Sequence, residues 1–325
     1  MQEIILELSF IVALSLIIGL GSSMVGISGG AFKTPMLIII FGLTTHFSTA
    51  VSLFSALFLA IPSSIQYYRQ EKDTVSIKIG LTIAAFSVPG SIIGVLVKSM
   101  IIDDYTLRII FGASLFPVAI AMMLTKQKQT QIDYHREIIE YRHSHHGHLK
   151  WSIFGTGSLI AGFAAGLLGL GGGTIVVPLM CIVLGMPIVM AAATSVFAMI
   201  FTASAGTIMN YTLITQTGDL SSFLFYSLAI GAGMIIGSQI GPKYACRIDG
   251  VLLRRVFGAI LVFPLVHMMN IGRFLLDPSG RDYLLGILGD ILVWFLVIVS
   301  YGFVWLYWFF KSSRLPSPLK QAERC

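Results

Sequence analysis

Two short runs bring the ingredients of an anion site into an otherwise oily chain. The first is "VGISGGAFKTP", residues 25–35, and the second is "LGLGGGTIVVP", residues 168–178. Glycine permits positive φ and lets the backbone approach a ligand closely. Backbone broken at such residues frees N–H groups, which inside a bilayer must be satisfied by protein or by a wet cavity. The proline that follows each cluster suits the first turn of a new helix. Each run thus offers bare N–H groups followed by the positive end of a helix, a geometry made for a negative charge. The candidate substrate-binding residues are Gly26, Ser28, Gly29 and Gly30 in the first run, with Gly169, Gly171, Gly172, Gly173 and Thr174 in the second. The competing reading is that these glycines only let helices pack closely. The pairing of two clusters at matched positions favours the site.

Neighbouring polar residues extend this chemistry. Lys33 is either a fixed positive charge beside the first loop or a side chain that snorkels to the cytoplasmic lipid surface, and the second reading is favoured. Ser52, Thr194 and Ser195 fall in the first turns of the following helices. They either donate to an oxyanion or bond back to their own helix carbonyls. Gln66 and Asn210 read as interhelical links. His267 and Asp290 lie inside apolar spans, where an ionisable group is a candidate proton carrier. The run "RHSHHGH", residues 142–148, matches no standard zinc spacing and reads as a solvated connector. No metal site, no cofactor site and no catalytic constellation is indicated: P-loop and HExxH patterns are missing from the sequence, and no nucleophile stands with a credible base. Three cysteines without paired spacing give no disulfide framework.

These residues need elements to hold them, and composition dictates what kind. Of 325 residues, 56% are hydrophobic and only 11% charged, with a net charge of +6. A soluble domain carries about 25% charged residues, so a bilayer is the natural solvent for this chain. Dispersed basic residues in short loops suit anionic lipid rather than nucleic acid. The first ten residues lack a basic n-region and a cleavage site, and read as part of a retained first helix. Apolar spans are expected at 4–25, 47–68, 75–97, 105–124, 151–168, 189–212, 220–242, 252–271 and 283–310. Two short pieces, 32–41 and 174–184, follow the glycine clusters and cover about half the hydrocarbon core.

Displaced by 143 positions, the chain overlays itself: Gly26, Gly29, Gly30 and Pro35 fall on Gly169, Gly172, Gly173 and Pro178, and Ser52 falls on Ser195. If both short pieces cross, each half has five passes and the second is inverted relative to the first, the plan of many secondary transporters. The distribution of Lys and Arg favours crossing. With eleven passes, 17 lie on one side and 4 on the other; with the pieces re-entrant, 10 face 11. The expected fold is therefore an all-α polytopic membrane protein: a first repeat over 1–124, a cytoplasmic linker over 125–150, a second repeat over 151–272, an extra helix at 283–310 and a cytoplasmic tail from 311. The N-terminus is expected outside a plasma membrane and the C-terminus inside.

The runs "GLGSSMVGISGGAFKTPML" and "AGFAAGLLGLGGGTIVVPLM" resemble the two signatures of the TauE/SafE sulfite exporter family, also called the 4-toluene sulfonate uptake permease family. The resemblance covers roughly residues 5–270. It implies a permease that moves small sulfur-containing anions such as sulfite or organosulfonates, coupled to an ion gradient of protons or Na+, with room for a homo-oligomer. By position it carries over Gly26, Gly29, Gly30, Pro35, Gly169, Gly171, Gly172, Gly173 and Pro178. Two positions depart from the pattern: Ser28 stands opposite Gly171, and Lys33 puts a charge in an apolar stretch. The competing classes are a non-transporting membrane protein, such as an assembly factor or sensor, and an intramembrane enzyme, which lacks a nucleophile with a base.

Overall fold

A computed structural model of the chain describes residues 2–70, 74–101, 103–124, 148–217 and 220–245, with Gly258, Ala259, Val262, Val266 and Met268. Its helices are α1 (Gln2–Val25), α2 (Gly30–Phe41), α3 (Thr45–Gln70), α4 (Ile77–Met100), α5 (Asp104–Leu124), α6 (His148–Leu168), α7 (Gly173–Val183), α8 (Ile188–Thr217) and α9 (Leu220–Ala245). Among the described residues there is no strand. Six helices, α1, α3, α4, α6, α8 and α9, are long and apolar enough to cross a bilayer, and α2 and α7 are short apolar helices of 12 and 11 residues. The chain is an all-α, multi-pass membrane protein. Helix α6 starts at His148, three residues inside the expected linker. The expected span 283–310, nearly all of 252–271 and the tail lie outside the described residues.

An offset of 143 runs through the helix boundaries. It relates the ends of α1 and α6, and the starts of α2 and α7, α3 and α8, and α4 and α9. Packing is reciprocal in the same sense. Helix α1 lies along α9, and α4 lies along α6. Helix α3 packs on α8 and α9, and α8 packs on α4. The halves interlock rather than sit side by side. Lipid tails are as apolar as leucine, so helices must gain by close packing. Gly233 and Gly237 press α9 onto the α1 backbone at Val12 and Leu16, and Gly90 and Gly94 press α4 onto α6 at Leu159 and Phe163. The halves are not identical: α7 also folds back along α6, where Gly157 faces Leu179, whereas α2 leans chiefly on α3.

Two helix starts carry acids. The Asp104 carboxylate accepts from the Thr45 N–H at 2.6 Å and from the Thr45 hydroxyl at 3.0 Å, capping α3. Asp103 caps α5; the Thr106 hydroxyl and N–H donate to it and hold its carboxyl below the usual range. The prolines correct one expectation. Pro35 and Pro178 sit in the second turn of α2 and α7, not at their starts. Gly29 and Gly172, at φ 72° and 77°, turn the chain into the helix at once, so each helix begins at the last glycine of its cluster.

Candidate functional site

The two glycine loops cross and lock against each other. A β-carbon on Gly30 would run into the carbonyl of Gly169, and one on Gly173 would run into the carbonyl of Gly26. The Ser52 hydroxyl donates to the Gly169 carbonyl at 3.0 Å, and the Ser195 hydroxyl donates to the Gly26 carbonyl at 2.8 Å. Each bond is the other displaced by 143 residues in both partners. Ser52 and Ser195 therefore give their hydroxyl protons to the opposite loop rather than to their own helices. Ser28 adds a bond with no counterpart: its hydroxyl donates to the Leu170 carbonyl at 2.6 Å and accepts from the Gly30 N–H at 3.1 Å. Both loops are buried throughout.

The N–H groups at the crossing are left over. Among the described residues no hydrogen bond engages the N–H of Ser28, Gly29 or Ala31 in the first loop. The same is true of Gly171, Gly172, Gly173 and Thr174 in the second. Neither Gly29 nor Gly172 supplies a side-chain cap to its helix, in contrast to the acid that caps α3. Among the described residues two buried hydroxyls beside these starts also lack partners: Thr174 Oγ1, next to Gly173, and Ser22 Oγ, which lies against Gly29. Buried polar groups are normally satisfied. A site with surplus donors and uncapped helix starts is electropositive and suited to an oxyanion.

Lys33 overturns the snorkelling expectation. It is fully buried at 0% exposure, and its ammonium donates to the Ser52 carbonyl at 2.9 Å and the Ser55 hydroxyl at 3.0 Å. The rotation of α2 turns it inward onto α3, next to the crossing, rather than out to lipid. Thr194 is diverted elsewhere: its hydroxyl accepts from the Ser76 N–H at the start of α4, 3.0 Å away.

Sequence reasoning missed Ser22, Ser55 and Lys98. Lys98 falls one residue past the expected span 75–97, where the sequence places it in a loop. It is 3% exposed, and its ammonium donates to Thr49 Oγ1 at 3.3 Å and Asn210 Oδ1 at 2.5 Å. Asn210 thus links helices through a lysine. No signal in the sequence marked Ser22 or Ser55 apart from their spacing, one turn before Gly26 and one turn after Ser52. His267, Asp290 and residues 142–147 lie outside the described residues. His148 opens α6.

Comparison with known proteins adds a separate line. A family described as Sulfite exporter TauE/SafE matches residues 11–268. "Probable membrane transporter protein YunE" of Bacillus subtilis is 27% identical over 268 residues, covering 78% of this chain and 93% of the relative. A probable membrane transporter protein of Methanocaldococcus jannaschii is 28% identical over 269 residues, covering 80% and 94%. One from Xylella fastidiosa is 25% identical over 262 residues, covering 78% and 91%. No solved structure matches the chain.

Proposed function

The chain belongs to the sulfite exporter TauE/SafE family and is a membrane transporter, and on that premise we propose that it is a secondary-active permease for small sulfur-containing anions such as sulfite or organosulfonates. The anion is held where the glycine loops cross, by the N–H groups of Gly29, Gly171, Gly172 and Gly173 and the starts of α2 and α7. Ser22 and Thr174 supply hydroxyl donors, and Lys33 supplies the charge. Access alternates between the two sides as the interlocked halves, inverted relative to one another, rock about the crossing. The observation that carries this reading is the pair of buried, uncapped helix starts meeting at one point, with surplus donors and no buried carboxylate among the described residues. A transporter site at the junction of two broken helices is a recurrent plan.

Orientation follows from loop charge. Removing the buried Lys33 and Lys98 from the count leaves sixteen basic residues against three in the eleven-pass arrangement. That bias favours an outside N-terminus and a cytoplasmic C-terminus in the plasma membrane. The test is flux into proteoliposomes holding the purified full chain. Uptake of labelled sulfite or sulfoacetate above that of empty liposomes, lost on Gly172→Trp with insertion intact, is the expected result. A folded protein that carries none of sulfite, sulfate, thiosulfate, taurine and sulfoacetate overturns the reading.

A further inference from the structure

We propose that Lys98 is the proton-binding residue that couples transport to a proton gradient, reached from the Asp103–Asp104 end of the bundle past His46. This rests on the permease reading above, which leaves Lys98 without a part. An ionisable side chain inside a membrane bundle marks a place where charge is exchanged or moved. Lys98 is 3% exposed, and no carboxylate is buried among the described residues. An ammonium has three N–H donors and a neutral amine two. The site supplies two acceptors, Thr49 Oγ1 on α3 and Asn210 Oδ1 on α8, both uncharged. Both hydrogen bonds therefore survive loss of the proton. The N–H bond that breaks is the third, which has no partner among the described residues. The same two oxygens are those that a Na+ at this place would need, and the ammonium holds them.

Titratable groups lead from Lys98 to the surface. The Thr49 hydroxyl that accepts from Lys98 donates in turn to the His46 carbonyl at 2.9 Å. The His46 imidazole is half-buried, and its Nε2 has no hydrogen-bond partner among the described residues. The charges of Lys98 and Asp104 both act on that ring. The His46 N–H lies 3.4 Å from the Asp104 carboxylate, and Asp103 beside it is exposed. Histidine is suited to shuttle a proton between such groups. The other titratable residues of the surrounding helices stand apart. Arg108 lies one turn beyond Asp104 on α5, and Tyr211 on α8 is exposed. Helix α6 runs parallel to α4, with Gly90 at Leu159 and Gly94 at Phe163, so His148 and Lys150 open it at the far end, as Lys78 does on α4.

The contact between α4 and α8 is polar beyond Lys98. Asn210 also donates to the Gly206 carbonyl at 2.9 Å, and a β-carbon on Gly206 would meet Ser91 Oγ, a buried hydroxyl without a partner among the described residues. One turn further, Ser87 Oγ and Thr202 Oγ1 are 2.6 Å apart. Polar groups that merely held helices together would serve both halves alike. At the offset of 143, Ile230, Met234 and Leu59 replace Ser87, Ser91 and Thr202, and all three are fully buried. Gly241 replaces Lys98, and Tyr67 replaces Asn210 and donates to the Ser23 carbonyl at 2.9 Å. One half thus carries a protonatable amine in a polar seam where the other is apolar and neutral.

The test is steady-state accumulation in proteoliposomes holding the full chain, with the voltage clamped at zero by valinomycin and equal K+. The probes are sulfite, sulfate, thiosulfate, taurine and sulfoacetate, each read against empty liposomes at one external pH, so that only the luminal pH changes. A lumen one pH unit from the outside is expected to shift accumulation of a carried anion by about tenfold per coupled proton, and a Na+ gradient to shift nothing. Lys98→Met is expected to let the anion equilibrate without that shift. Lys98→Arg keeps the charge and the donors but holds its proton, so it is expected to lose proton-driven accumulation as well, whereas a lysine needed only for its charge would be rescued. Lys98→Gln takes the place of either variant that fails to insert. Accumulation driven by Na+, no response to luminal pH in wild type, or full proton-driven accumulation in any of these variants overturns the inference and leaves the permease reading standing. Absence of flux with all five anions overturns both.

Discussion

Ser28 and Gly171 are equivalent positions of the two halves, and they touch: a β-carbon on Gly171 would overlap the β-carbon of Ser28. The contact lies where the two glycine loops cross. It also gives a reason for the mismatch between them. One partner can carry a side chain only if the other does not.

That relationship predicts a compensating pair. Gly171→Ala meets Ser28 and also places an L side chain at φ 64°, a conformation costing about 1–2 kcal/mol. Ser28→Gly alone gives up bonds to Leu170 and Gly30, worth about 1 kcal/mol each. Combined, the two substitutions are expected to cost less than their sum by about 0.5–3 kcal/mol, because the second removes the clash made by the first. Melting temperatures of the four proteins measure the coupling. A strictly additive cycle contradicts the contact.

Much of the scaffold was legible because it rests on periodicity and repetition. The helix starts at Gly30 and Gly173, Thr45 and Ile188, and Ile77 and Leu220 follow an offset already visible in the residues. What the residues could not give is direction. Lys33 is three positions from Gly30 whether it faces lipid or protein; only the rotation of α2 against α3 decides, and that depends on partners distant in sequence. Lys98 hides for the same reason, since its acceptor Asn210 is 112 residues away. Thr194 and Ser195 are adjacent and chemically alike, yet successive helical positions face about 100° apart, so one caps the start of α4 and the other grips a glycine loop.

The loop crossing should be far less tolerant than the far ends of the same helices. Gly30→Ala and Gly173→Ala drive a methyl group into the opposite backbone, which has no room to yield. Gly42→Ala and Gly185→Ala have open space around the new methyl and carry only the penalty of φ 64° and 67°, about 1–2 kcal/mol. Flux is expected to vanish in the first pair and survive in the second. Proteoliposome uptake, normalised to inserted protein, separates them. Equal tolerance of Gly30→Ala and Gly42→Ala would contradict the crossing.

Ser52→Ala and Ser195→Ala should behave as a matched pair. Each leaves a buried glycine carbonyl without its donor, at a cost of about 1–3 kcal/mol. Both variants are expected to melt at lower temperature and to carry anion more slowly, by similar factors, because each loosens one of two reciprocal clamps. A large effect from one and none from the other would show that the halves share the load unequally.

Lys33→Met separates charge from structure. A lysine retained for stability should cost stability when removed. Here removal withdraws an ammonium that no buried acid balances among the described residues, and the Ser52 carbonyl keeps a donor, since the Ser55 hydroxyl already reaches it at 3.0 Å. Methionine fills a similar volume without a charge to desolvate, and exchanging buried ionic groups for apolar ones is often neutral or stabilising by about 1–4 kcal/mol. The melting temperature is therefore expected to hold or rise. Sulfite flux is expected to fall by about tenfold or more, equivalent to about 1.4 kcal/mol of barrier, because the fixed charge beside the α2 start is gone. A lower melting temperature with flux retained would assign Lys33 to the scaffold and leave the helix starts alone to attract the anion.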